Sequence, residues 1–209
     1  VIKGSGALNT TLIFNLDSNE TDLFAINGMR ENMTYTVINS ALIFDSVIVL
    51  NQGSGNDFSG GDYIQLYKND STEITSNWAL NTVGQLIEVS QVKGDSLFLN
   101  SKLRTNYPMT QSPYIRKIIP KTNIGIECLK IVRLDTQAVH CANIRFNYAV
   151  NCYVKGIESD KCNFSHVSFI RSSNITVRDS YFHHAFDYGG GGAGYGVVAM
   201  YSSGECLVE

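Results

Sequence analysis

Apolar residues in this chain come in short runs broken by Asn, Ser, Thr, Asp and Gly, with no sustained helical spacing. Val1-Ile2-Lys3-Gly4-Ser5-Gly6 followed by Thr11-Leu12-Ile13-Phe14 reads as strand, tight glycine turn, strand. Tyr35-Thr36-Val37-Ile38 and residues 41–50 add two β-branched runs, expected as early coils. The texture changes at Asn51. Tyr63-Ile64-Gln65-Leu66-Tyr67 alternates like a half-buried strand, and residues 85–89 and 96–99 flank Lys93-Gly94-Asp95, a hairpin signal.

From residue 123 onward the pattern repeats. Leu129-Lys130-Ile131 overlays Cys152-Tyr153-Val154, Ile175-Thr176-Val177 and Cys206-Leu207-Val208 at steps of 23, 23 and 31 (152−129, 175−152, 206−175). A second column, Ile144-Arg145-Phe146, Val167-Ser168-Phe169 and Val198-Ala199-Met200, steps by 23 and 31 (167−144, 198−167). Both columns predict one eight-residue bulge (31−23) between Phe169 and Val198. Such a period implies stacked β-coils, each burying its apolar face only against its neighbours. Asn151 and Asn174 fall one coil apart, where their amides would bond along the axis.

These patterns predict an all-β protein divided as first coils (1–50), a small inserted antiparallel β subdomain (51–118) and regular coils (119–209). The chain opens inside a strand and Glu209 stops inside a coil, which suggests a piece of a longer protein. Trp78 is expected as a buried anchor rather than a sugar-stacking platform.

Composition narrows the function classes. Only 17% of the 209 residues are charged and the formal charge is −3, so no basic field exists to hold nucleic acid. The longest apolar runs fall far short of a membrane span, so no membrane insertion is expected. The five cysteines form no C-x-x-C pair and read as core thiols rather than a zinc knuckle or a disulfide framework. Six N-x-S/T sequons, at Asn9, Asn19, Asn32, Asn69, Asn163 and Asn174, are weak signals in an Asn-rich chain.

A 23-residue repeat of short strands, stacked aliphatics and Asn turns is similar to the right-handed parallel β-helix of the pectate-lyase-like superfamily. The clause Ser172-Ser173-Asn174-Ile175-Thr176-Val177-Arg178-Asp179-Ser180 resembles that repeating unit, and the resemblance covers residues 1–50 and 119–209. It implies a polysaccharide partner, a secreted or cell-surface location and no cofactor. The Asn-Thr-Asp, Asp-Asp and Gly-His-Gly motifs of polygalacturonase-type hydrolases are absent from the sequence, as is the Arg-x-Pro-x-x-Arg signature of calcium-dependent pectate lyases. Fold analogy alone therefore selects no reaction.

The bulge carries the candidate chemistry. It joins His183, His184, Asp187, Tyr188 and Tyr195 to the glycine run 189–192, and it follows a coil bearing Arg171 and Arg178. A uronate lyase must neutralise a sugar carboxylate, remove the adjacent proton and protonate the leaving oxygen. Arg178 or Arg171 suits the first role, His183 or His184 the second and Tyr195 the third. The bland alternative is a decorated turn.

The columns Val132, Lys155, Arg178, Glu209 and Asp135, Glu158, Tyr181 would line a groove for a charged glycan, so Lys155, Glu158, Tyr181, Arg171, Asp187 and Tyr188 are candidate binding residues. A solvated face of mixed charge explains them equally well. A two-histidine metal site with Asp187 is the weaker option, and no metal is expected. His166 is expected on the coil surface and His140 in a turn. Two rivals stay open. One is a structural or adhesive surface protein that self-associates through its coil ends without catalysis, and the other is a phage-type receptor-binding spike.

Overall fold

The computed structural model describes residues 1–17, 19–136, 140–188 and 191–209. The chain divides into two compact units, one of residues 1–27, 121–200 and 205–209 and the other of residues 28–120 and 201–204. Among the described residues the regular structure is β-strand with three short 3-10 turns.

The first unit is a parallel β-helix with three sheets. Sheet A stacks Ile2–Lys3, Gly125–Glu127, Ala149–Lys155, Ser173–Arg178 and Leu207–Val208, with Lys121–Thr122 beside the start of the third. Sheet B stacks Thr11–Phe14, Lys130–Arg133, Glu158–Asp160 and Tyr181–His183. Sheet C stacks Phe24–Asn27, Ala142–Asn147, Ser165–Ile170 and Tyr195–Met200. Each coil visits A, B and C in turn. Ile126, Val154 and Val177 from sheet A, Ile131 from B, and Ile144, Phe146, Val167 and Phe169 from C fill the interior.

Left-handed residues make the corners sharp. Cys128, Gly156 and Asp179, at φ 56, 61 and 53, turn sheet A into sheet B in successive coils. Tyr148 and Arg171, at φ 50 and 48, turn sheet C into sheet A. Asn151 and Asn174 take the same hand at φ 56 and 53, and the Asn174 Nδ2–H donates to Asn151 Oδ1 at 2.6 Å, the axial amide bond expected from their spacing. Asn tolerates this region because its short polar side chain can bond locally.

The register differs from the repeat read in the sequence. Ile126, not Ile131, pairs with Val154, while Lys130 pairs with Glu158, so the step from the second to the third coil is 28 in sheets A and B (154−126, 158−130) and 23 in sheet C (167−144). Five extra residues (28−23) therefore lie between Val132 and Ala142. Val167 pairs with Val197 rather than Val198, a step of 30, so the bulge holds seven extra residues (30−23). An eighth enters between Met200 and Leu207, because Val177 pairs with Val208 at 31. Leu-x-Ile, Cys-x-Val and Val-x-Met patterns fit any inward strand, so side-chain alternation could not tell sheet A from sheet B.

The second unit is an antiparallel sheet in the order Met29–Arg30, Tyr114–Ile119, Tyr63–Tyr67, Gly84–Lys93, Ser96–Leu99, Val47–Val49, with Tyr35–Thr36 also on Tyr114–Ile119. Residues 35–36 and 47–49, expected among the early coils, thus pair antiparallel here. Ile48, Leu50, Ile64, Leu66, Leu97, Tyr107 and Ile115 are among its core. Lys93-Gly94-Asp95 does close a hairpin, with Gly94 at φ 57. Trp78 is not the buried anchor expected, being 75% exposed on the 3-10 turn Asn77–Ala79.

All five cysteines are free thiols, with Cys141, Cys152 and Cys162 buried. Burial pushes the Cys162 thiol up to about 12, which makes it an inert core group. No helix among the described residues is long and apolar enough to cross a membrane.

Candidate functional site

The outward face of sheet B gathers most of the unusual chemistry of the β-helix. Alternation along Glu158-Ser159-Asp160 turns both carboxylates outward and Ser159 inward, and Tyr181-Phe182-His183 in the next coil repeats the pattern. Tyr181 therefore stacks over Glu158 and His183 over Asp160. Lys130 lies beneath Glu158 in the preceding coil.

These side chains form one bonded network. Lys130 Nζ donates to Glu158 Oε1 at 2.6 Å, and His183 Nε2 lies 3.2 Å from that oxygen. His183 Nδ1 stands 3.5 Å from Asp160 Oδ1 and 3.0 Å from His184 Nδ1, which is itself 2.9 Å from Asp160 Oδ1. The Tyr181 ring stacks on the His183 imidazole at 4.6 Å and 18°. Tyr181 is 65% exposed, so its other face meets solvent.

Electrostatics keep both acids ionised. The Lys130 hydrogen bond holds Glu158 below the usual carboxylate range, with His183 adding to it against the cost of burial. Burial alone would raise Asp160, but the His184 hydrogen bond, with the Lys130 ammonium adding to it, brings it below its ordinary value. Glu158 in turn holds Lys130 above its ordinary value.

Beneath the network lies His166, which is buried rather than on the coil surface as expected. It stacks on Phe182 at 5.5 Å and 9°. The His184 carbonyl, 3.0 Å from His166 Nε2, can only accept, so Nε2 carries the proton and Nδ1 accepts from the Ser159 hydroxyl at 2.9 Å. Ser159 Oγ then accepts from Asn143 Nδ2, also at 2.9 Å. This chain anchors His184, whose backbone is left-handed at φ 58. Burial lowers the His166 imidazole to about 4, which keeps it neutral.

The remaining sequence candidates are dispersed. Lys155 and Arg178 pair with each other on the outward face of sheet A, across a two-residue corner from Glu158 and Tyr181. Arg171 sits at the corner from sheet C to sheet A, its guanidinium 5.6 Å from the Tyr148 ring. Tyr195 begins the last strand of sheet C, edge-on to Phe164 at 5.6 Å. Asp187 and Tyr188 belong to the bulge, where the Ala185 N–H donates to the Tyr188 hydroxyl at 2.8 Å. Gly189 and Gly190 of the glycine run lie outside the described residues. Gly191 offers its carbonyl 2.9 Å from His140 Nε2.

Two members of the network, Lys130 and Asp160, were not among the sequence candidates. Asp160 was readable from its place two residues beyond Glu158 on one strand. Lys130 was hidden by the 28-residue step, which put Asp135 in its column instead. Asp135 is buried and paired with Arg133 at 3.1 Å, away from any outward groove. Val132 likewise stacks under Asp160, and the sheet A partner of Lys155 in that coil is Glu127.

No protein-family model and no curated protein sequence matches the chain. Solved structures do. The tailspike protein gp49 of Pseudomonas phage LKA1 superposes with a TM-score of 0.72 at 18% identity, over 98% of this chain and 33% of that one. The tailspike gp61 of Pseudomonas phage phi297 gives 0.70 at 14% identity, over 98% and 35%. The chain spans about a third of the length of these two proteins. What it shares with both is the fold.

Proposed function

We propose that the protein binds an extended acidic polysaccharide along the corner between sheets A and B, and cleaves it by β-elimination beside a uronate. One observation carries the reading. Lys155 and Arg178 form a basic ridge on one side of a two-residue corner, and Tyr181 and the Glu158–Asp160–His183–His184 network stand on the other. Stacked coils turn such a pair of ridges into a linear track, which suits a linear polymer. The fold shared with two tailspike proteins supports a surface-exposed location.

The roles follow from bonding. His184 Nδ1–H donates to Asp160, so Nε2 keeps its lone pair on a side chain 66% exposed. A carboxylate behind an imidazole orients it as a general base. The proton beside the uronate carboxylate passes to His184 Nε2, its electron pair forms the new C=C bond, and the glycosidic oxygen leaves with a proton from Tyr181. Arg178 and Lys155 balance the sugar carboxylate. Tyr181 thus takes the proton-donor role first assigned to Tyr195, which stands on sheet C.

Incubation with a panel of uronate polymers tests this, with unsaturated ends followed by ultraviolet absorbance. His184→Asn is expected to lose about a hundredfold in rate, and Tyr181→Phe to bind polymer without cleaving it. The double variant Lys155→Ala, Arg178→Ala is expected to weaken binding about tenfold. Failure of every acidic polymer to bind would sink the reading.

A further inference from the structure

Three lone-pair atoms converge beside the base: Asp160 Oδ1, His183 Nδ1 and His184 Nδ1, at mutual distances of 2.9, 3.0 and 3.5 Å. With both rings neutral, their hydrogen-bond arithmetic does not close. Glu158 Oε1 accepts from His183 Nε2–H, which leaves Nδ1 of the neutral ring bare. Asp160 Oδ1 is also an acceptor. The His184 Nδ1–H can satisfy only one of them, which leaves two acceptors facing each other across 3.5 Å.

We propose that these three atoms form a divalent cation site of zinc type. Zinc bonds to imidazole nitrogen and carboxylate oxygen at about 2.0–2.2 Å, which puts tetrahedral donors about 3.3 Å apart. The three observed separations bracket that value. Two neutral imidazoles and one carboxylate suit zinc-like ions better than calcium or magnesium, which prefer all-oxygen ligands. Three protein ligands leave a fourth position open to water or to an oxygen of a bound molecule.

The surroundings fit the same role. His183 donates through its far nitrogen to Glu158, which Lys130 holds in turn, the carboxylate–histidine arrangement that orients a metal-ligating ring. His184 is held by the His166 bond to its carbonyl, and its left-handed backbone aims its ring at Asp160. The sequence pattern placed Asp187 as third ligand. Asp160, one coil below His183, takes that position.

Occupancy would have a functional consequence. A cation on His184 Nδ1 moves the imidazole proton to Nε2 and removes the lone pair that accepts the substrate proton. On the base role proposed above for His184, cation and base catalysis exclude each other there, and the ion would act as an off switch.

Calorimetric titration of the EDTA-treated full chain with zinc chloride, without polysaccharide, tests the site independently of cleavage. One saturable site in the micromolar range or tighter is expected, with cobalt giving a tetrahedral visible spectrum. Asp160→Asn and His184→Asn are expected to lose at least tenfold in affinity. The Asn at position 184 tolerates the left-handed backbone, so that variant stays informative if Asp160→Asn fails to fold. Absence of saturable binding, or equal binding by wild type and His184→Asn, would overturn the site. Where a polymer is cleaved, added zinc should slow cleavage and EDTA restore it.

Discussion

At the scale of single residues, His166 has the clearest pH signature. Its folded value of about 4 lies below the ordinary 6.5, so near pH 5 the unfolded chain binds a proton that the folded chain refuses. His166 opposes unfolding fully above about pH 6.5, and this contribution falls away as the pH drops toward about 4. The difference amounts to about 3 kcal/mol. Urea unfolding at about pH 7 and pH 4.5 should show a loss of stability in the wild type that is much smaller in His166→Gln. Glu158 and Asp160 behave in the same direction within a lower window. Their values are depressed in the fold, so their stabilisation is present above the ordinary carboxylate range and is lost as pH falls through it.

At the scale of the element, the coil corners combine hydrogen bonding with backbone hand. Asn174→Ala gives up the bond to Asn151 and forces a Cβ without polar compensation into φ 53. A cost of about 2 kcal/mol is expected, against about 1 kcal/mol for Asn174→Gly, which keeps the backbone and loses only the bond. Thermal unfolding of the pair separates the two contributions. This ladder was legible in the sequence because Asn151 and Asn174 lie in two coils of equal length. The same holds for Cys152 over Ile175, Val154 over Val177, and Glu158 under Tyr181. Coils of unequal length hid the rest. The extra residues beyond Val132 displaced Lys130 from its partner, and the inward turn of His166 where sheet B passes into sheet C breaks the alternation that assigned it to the surface.

At the scale of the molecule, a β-helix has no layer that closes on itself. Each coil is held by the one above and the one below, so in the 209-residue chain taken by itself protection should fall from the middle coils to the outer ones. Hydrogen exchange is expected to be slowest in Ala142–Asn147, Ala149–Lys155 and Ser165–Ile170. It is expected to be fastest in Ile2–Lys3 and Leu207–Val208, whose side chains are exposed. Uniform protection across all five stretches would contradict this one-dimensional picture.

The corner between sheets A and B keeps two residues, Cys128 and Leu129, then Gly156 and Ile157, then Asp179 and Ser180, while the passage from B to C lengthens by five and by seven. A corner that short has no slack. It advances like a ruler, by about 4.8 Å per coil, and a polymer bound as proposed would have to straighten against it. The ordering entropy of such binding would then fall on the polymer, and exchanging Gly156 or Asp179 for a residue that shifts the turn would blur the ruler's spacing before it unfolded the helix.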